Sequence, residues 1–276
     1  MSVSKNDVMA LREKTGAGLI DCKRALTESN GNMEDAVSIL RKKGVATAAK
    51  KSGRSASEGI IAQSISSDRS KGILVEVNCE TDFVAKNEDF VEFAGSVASI
   101  LLNDANADLE EKRTEQVAKI GENILISRSE SLVPQNGGLV ESYVHTGGKV
   151  AVLLSLGCQS AEISANSQAV SVAKDLCMHI AATSPVCVSR DDVPSDLVDK
   201  EKDIALAQAE GKPPQAVEKI VSGKLDKYYA GVCLLEQPFV KNPDQSVQQL
   251  INELSKEVGT ELKVEKFLRF QVGEGA

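Results

Sequence analysis

The sequence predicts an α+β protein in which a small three-helix module precedes a duplicated core of antiparallel strands and helices. Three observations carry that prediction. Apolar residues recur at three- and four-residue spacing over the first 45 positions, alternating apolar runs begin at Gly59, and the hairpin, helix and strand series recurs after about 76 to 80 residues.

Residues 5–45 read as three helices: Val8, Leu11 and Thr15 share one face, then Leu19, Cys22 and Leu26, then Met33, Val37 and Leu40. Thr15-Gly16-Ala17-Gly18 closes the first helix and opens the second, because glycine adopts the left-handed conformation that ends helices. Asn30-Gly31-Asn32 stops the second and offers Asn32 as N-cap of the third, with Asp35 at the capping-box position. A module spanning 1–45 buries little apolar surface, so it is expected to lean on a partner or on the rest of the chain. Residues 46–58, rich in Ala, Ser, Gly and Lys, read as a linker that can start helically.

From Gly59 the period changes to two. Residues 60–65 and 73–78 form a hairpin around Ser66-Ser67-Asp68-Arg69-Ser70, with Ile73, Val75 and Val77 on one face. A helix follows from Asn87 as cap, lined by Phe90, Phe93, Ala94, Val97 and Leu101; then come a second helix near 109–121 and a strand at 123–128. These make a first core subdomain, 59–137. The second, 138–194 with 231–276, repeats the series: strands at 138–144 and 149–154, a helix at 168–182, and a closing strand at 266–272. Two helical segments, 195–210 and 214–229, joined at Gly211-Lys212-Pro213, interrupt it. Their low apolar content makes 195–230 an inserted helical hairpin that projects from the core.

Composition narrows the function classes. The 276 residues are 42% hydrophobic and 26% charged, enough for two or three compact units. No apolar run approaches the ~20 residues of a membrane span, and the first seven residues lack the apolar stretch of a secretion signal, so no membrane association and a cytoplasmic location are expected. Six scattered cysteines without a C-x-x-C pair read as reduced thiols. A net charge of −8 argues against direct nucleic-acid binding, which needs clustered Lys and Arg, and favours a protein partner. With aromatics at only 3% and no Trp, any exposed Phe is informative, since aromatic anchors dominate interfaces.

Catalytic motifs are missing from the sequence: there is no phosphate loop, nucleophile elbow or H-E-x-x-H, so neither an enzyme nor a cofactor or metal is expected. Of the two histidines, His179 reads as a core residue on an apolar helix. His145, beside Gly147 and Gly148, is divided evenly between a turn role and an interface role. One segment stands out, Asn78-Cys79-Glu80-Thr81-Asp82-Phe83-Val84-Ala85-Lys86-Asn87, joining a strand end to a helix start. Phe83 and Val84 could be a hydrophobic staple under the helix. Yet Glu80 and Asp82 surround Phe83 with acid, which suits an aromatic tip probing a polar pocket better than a core anchor. A nucleophilic Cys79 is a third reading, without a general base nearby in sequence.

Leu11-Arg12-Glu13-Lys14-Thr15-Gly16-Ala17-Gly18, Asp21-Cys22-Lys23-Arg24-Ala25-Leu26, Val75-Glu76-Val77-Asn78-Cys79-Glu80-Thr81-Asp82-Phe83-Val84-Ala85, Gly211-Lys212-Pro213, Gln237-Pro238-Phe239-Val240 and Arg269-Phe270-Gln271-Val272-Gly273-Glu274-Gly275 resemble, in order, the motifs of the elongation factor Ts family. The resemblance implies a ubiquitin-associated-like N-terminal domain, a two-subdomain core and a helical-hairpin dimerisation domain, whose self-association stays open here. It implies a guanine nucleotide exchange factor that binds elongation factor Tu with GDP, dislodges Mg²⁺ and stays bound until GTP displaces it. Thr81, Asp82, Phe83 and Val84 carry the ion-dislodging role by resemblance. Thr15, Gly16, Ala17, Gly18, Leu19 and Lys23 would grip the GTPase domain, and His145, Gly147, Gly148 and Lys149 another domain of that partner. The chain departs from the family's pattern in a slightly shorter helix before Gly211 and in lacking the extra C-terminal helical module of some members. The rival reading is an adaptor built on the ubiquitin-associated-like module, for which removing the first 45 residues would abolish all binding.

Overall fold

The computed structural model describes residues 3–135 and 137–274. Ser4 starts the first helix, α1 (Lys5–Thr15), in a capping box with Asp7, and Gly16 at φ 66° ends it. Helices α2 (Leu19–Glu28) and α3 (Met33–Lys51) complete the module around Leu11, Cys22, Ala25, Leu26 and Ala36. Asn32 caps α3, its side chain accepting the N–H groups of Glu34 and Asp35. The helical start allowed for the linker reaches Lys51, because Ala46-Thr47-Ala48-Ala49-Lys50-Lys51 is rich in strong helix formers and Ala48 is buried against the core. Only residues 52–57 lie between helix and first strand.

Strands β1 (Glu58–Ile65) and β2 (Gly72–Cys79) form the expected hairpin. A one-turn helix α4 (Asp82–Ala85) follows, then α5 (Glu88–Asn103), capped by Asn87, α6 (Glu110–Ile120), ended by Gly121 at φ 85°, and β3 (Leu125–Leu132). Gly44 of α3 lies against α6: a Cβ there would stand 3.3 Å from that of Ala118, so only a small residue lets the two helices dock this closely. The second copy runs β4 (Gly138–Val144), β5 (Val150–Cys158), a 3₁₀ turn (Ala161–Ala165) and α7 (Ser167–Thr183). The inserted α8 (Ser195–Gln208) and α9 (Pro214–Val232) come next, then the short strands β6 (Pro238–Phe239) and β7 (Asn242–Ser246), α10 (Val247–Val258) and β8 (Leu262–Gln271). Among the described residues no helix is long and apolar enough to cross a membrane.

The two larger sheets run β1-β2-β3 and β4-β5-β8, and β6 pairs with β7, all antiparallel. Ile73, Val75 and Val77 pack with Phe90, Ala94 and Val97 of α5, while Val152, Leu154 and Leu156 pack with Ala173, Leu176 and Ile180 of α7. The opposite faces are buried as well. Ile61 and Leu74 of the first sheet meet Val140, Ala151, Leu153, Leu268 and Phe270 of the second, so two sheets stack between two outer helices. Every residue of β2 is buried for this reason, and Gly72 is small because a Cβ there would fall 2.7 Å from Val140 Cγ1.

The duplication is more complete than the sequence suggested. The caps Asn87 and Asn166 lie 79 positions apart, as do the strand ends Cys79 and Cys158. Helix α10, which the sequence reading passed over, stands before β8 as α6 stands before β3. Its signal was present: Ser246 and Gln249 form a capping box, Val247, Ile251 and Leu254 line the buried face, and Gly259 ends the helix.

Glu76, 2% exposed on β2, makes the stability pH-dependent. Its carboxylate accepts Arg128 Nε at 2.7 Å, the Gly273 N–H at 2.9 Å and Asn78 Nδ2 at 3.1 Å. Burial alone would push its carboxyl up, but these hydrogen bonds and the Arg128 charge outweigh that and hold it below its ordinary value. The folded state therefore binds this proton less readily than the unfolded chain. The resulting stability is complete above the unfolded value of ~4.3 and disappears as pH falls through the lower folded value. Glu76→Gln is expected to destabilise the protein at pH 7 and to shrink that difference below pH 4, read from urea melts. A gap that stays constant down to pH 3 rules this out.

Candidate functional site

β2 delivers the chain to Cys79 at one end of the sandwich, where Thr81 starts α4 by accepting the Val84 N–H on its hydroxyl. Successive residues of a helical turn point about 100° apart, so the Phe83 and Val84 pair cannot act as one. Val84 packs on the first core and Ala85 is buried, whereas Phe83 is 82% exposed. Phe83 is therefore no staple under the following helix, while Val84 packs on the first core.

The turn is held by crossed carboxylates. Glu122 accepts the N–H groups of Glu80 and Thr81, both at 3.0 Å, and the Thr81 hydroxyl at 2.7 Å. Glu80 in return accepts the Asn123 N–H at 2.6 Å and faces Arg54, and the buried Asn123 side chain donates to the Arg54 carbonyl at 2.8 Å. Glu122 and Asn123 were not singled out from the sequence, since no spacing rule links positions some forty residues apart. Asp82 pairs with Lys86 at 2.7 Å, and that hydrogen bond holds its carboxyl below the ordinary range, with Lys149 adding to the effect. The Cys79 thiol donates to the Thr81 carbonyl, and burial pushes it up to about 12, so it stays protonated at neutral pH. That removes the thiolate a nucleophilic role would need.

Lys149 also pairs with Glu58, at the start of β1 and opposite Cys79 in register. The β4–β5 turn thus stands beside α4. Gly147 and Gly148 have φ of 88° and 71°, and the Gly148 carbonyl accepts the Ile61 N–H at 2.7 Å. A Cβ on Gly148 would fall 3.0 Å from Ile60 Cγ2, so both positive φ and close approach demand glycine. His145 is exposed, its Nδ1 facing the Tyr143 hydroxyl at 3.0 Å. His179 is the expected core residue: Nδ1 accepts the Val240 N–H and Nε2 donates to Gln237, which ties the Gln237-Pro238-Phe239-Val240 segment to α7.

In the N-terminal module, Gly16 packs on the stem of Lys119, which pairs with Asp89 at the start of α5. Thr15 and Ala17 are half-buried, Gly18 and Lys23 exposed. Leu19, expected on the inner face of α2, is instead 46% exposed, and Ile20 beside it is 75% exposed. The inner face is Cys22, Ala25 and Leu26, leaving Leu19 and Ile20 as an outward apolar pair at the turn.

The second copy supplies an internal comparison. At the register of Val84 it has Ile163, 4% exposed, and at the register of Phe83 it has the exposed Glu162. The scaffold therefore folds without an aromatic at that place.

A family model described as "Elongation factor TS" matches residues 80–274. Proteins named elongation factor Ts from Clostridium perfringens (strain SM101 / Type A) and Clostridium botulinum (strain Alaska E43 / Type E3) are each 47% identical to this chain, covering 99% of it and 94% of their own length. One from Clostridium botulinum (strain Loch Maree / Type A3) is 45% identical, covering 99% of this chain and 93% of its own.

Proposed function

Because the chain belongs to the elongation factor Ts family of translation elongation factors, we propose that it binds elongation factor Tu carrying GDP, dislodges Mg²⁺ and drives the nucleotide off. The observation that supports this reading is Phe83, 82% exposed on a turn anchored by Val84, Thr81 and Glu122. An exposed aromatic on a rigid support is an interface anchor rather than a fold requirement. In elongation factor Tu the ion bridges the β-phosphate of GDP to the protein. Phe83 wedged beside it, with the ionised Asp82 next to it, moves the groups that hold the ion, and the phosphate charge left uncompensated lets GDP go.

The outward Leu19 and Ile20, with Lys23, form the grip of the N-terminal module on the GTPase domain. The turn at His145–Gly148 contacts another domain. Exchange factor and GDP weaken each other by the same factor, so GTP binding in turn releases the exchange factor. No covalent chemistry is assigned to this chain, whose work is done by binding alone, in the cytoplasm.

The test is a stopped-flow measurement of fluorescent GDP leaving elongation factor Tu. Saturating amounts of this protein should accelerate release by orders of magnitude, and an unchanged rate refutes the reading. The adaptor alternative parts from it on truncation: without residues 1–45 exchange should weaken but persist, whereas an adaptor loses all binding. We also propose that the α8–α9 hairpin, with Ile204 and Leu206 about half exposed, serves self-association. Sedimentation should show a concentration-dependent dimer that vanishes when 195–229 is replaced by a Gly/Ser loop; a monomer throughout removes that role.

A further inference from the structure

We infer that Glu122 is the positioning residue that aims Phe83, by fixing the turn from which α4 starts. The inference rests on the exchange reading above. Helix α4 is a single turn of four residues, too short to hold its own direction, because the first turn of a helix costs more entropy than its one hydrogen bond returns. Its direction must come from outside. Val84 and Ala85 hold one side of the turn on the first core, and the Glu122 carboxylate fixes its start, receiving two backbone N–H groups and one hydroxyl from Glu80 and Thr81 within 3.0 Å, all immediately before Phe83's turn. Glu122 is itself fixed from both sides: Gly121, at φ 85°, ends α6, and the Asn123 N–H is held by Glu80. Bonds to a charged acceptor are about twice as strong as neutral ones, which suits a short turn that must not swing.

The second copy shows that the fold does not require this carboxylate. Strand pairing sets Leu125 opposite Asn78 in the first sheet and Lys263 opposite Gly157 in the second, so Glu122 corresponds to Thr260. The Thr260 hydroxyl faces the Cys158 thiol at 3.4 Å, and the Ser160 N–H goes to that same sulfur. The equivalent turn is thus built without a carboxylate, and it presents Glu162 rather than an aromatic. Carboxylate anchor and exposed Phe occur together in the first copy and are both replaced in the second. A pairing that folding does not demand points to presentation of the side chain as its purpose.

The experiment measures GDP release from elongation factor Tu against exchange-factor concentration for the parent, Glu122→Gln, Glu122→Ala, Phe83→Ala and the double variant Phe83→Ala/Glu122→Gln. A reacting geometry displaced by about 1 Å can lose up to ~100-fold in rate. Glu122→Gln should therefore lower the maximal release rate about 10-fold, with the half-saturating concentration changed less than about 2-fold. The double variant should be no slower than Phe83→Ala alone, because residues acting as one unit are not additive. Glu122→Ala should be slower than Glu122→Gln; should it fail to fold, the isosteric Gln variant carries the comparison. Parental rates for Glu122→Gln beside a slow Phe83→Ala overturn the positioning role and leave the exchange reading standing. A multiplicative double variant also overturns it, since Glu122 would then act independently of Phe83. Parental rates for Phe83→Ala overturn the wedge role of Phe83 and the positioning role with it, whereas release no faster with the parent than without it overturns the exchange reading itself.

Discussion

Phe83→Ala is expected to slow the stimulated release of GDP from elongation factor Tu by roughly 10- to 30-fold in millimolar Mg²⁺, while the protein melts within about 2 °C of the parent. The two halves of this expectation come from one number. At 82% exposure the ring contributes almost nothing to the core, so its removal resembles an ordinary surface substitution, within about 0.5 kcal/mol. In an interface the same ring is an anchor, and truncating an aromatic anchor costs about 2 kcal/mol or more, which is close to 30-fold. The metal route adds a second signature. Chelating Mg²⁺ with EDTA does the wedge's work in advance, so parent and variant should then stimulate release by similar remaining factors. Equal defects with and without Mg²⁺ would mean that Phe83 contributes binding but not ion dislocation. A melting temperature lowered by ten degrees would mean that it is a core residue after all.

Phe90→Ala, seven positions along, should do the reverse. Phe90 is fully buried on α5 against Ile73, Val75 and Val77, and large-to-small aromatic truncations in cores cost about 3–5 kcal/mol. Natural domains have only about 5–15 kcal/mol in all, so the first core should lose a large share of its stability and its melting temperature should drop by roughly 10 °C. Exchange should then fall in step with the folded fraction, at any Mg²⁺ concentration. Circular dichroism melts check this directly. A shift under 2 °C would contradict the packing of α5 on the first sheet. The two phenylalanines thus separate a residue that builds the scaffold from one that the scaffold presents.

Much of the architecture was legible because it is written in short windows. Asn32 and Asn87 cap their helices as their positions suggest, Gly16 and Gly121 end theirs, and the two hairpins lie where alternation of apolar residues places them. What the sequence leaves open is where the helical start of the 46–58 segment ends: Ala and Lys are strong helix formers without an apolar stripe, and it is Ala48 meeting the core that carries α3 on to Lys51. Helix α10 is equally local in its signals, with Ser246 and Gln249 as capping box, Val247, Ile251 and Leu254 as its stripe and Gly259 as its end.

By itself the sequence determined the α+β class, the three helices of the N-terminal module and the repeated hairpin and helix series, since periods of 3.6 and 2, caps and turn residues act over a few positions. Only the tertiary structure decided that Phe83 points out while Val84 points in, that Leu19 and Ile20 lie outward, and that Glu122 holds the turn. It alone decided that β2 and β5 are buried on both faces, by stacking Ile61 and Leu74 on Leu153 and Phe270. Such facts depend on which residues meet across forty or a hundred positions, and that choice is made by burial of whole faces against one another, which no local pattern records.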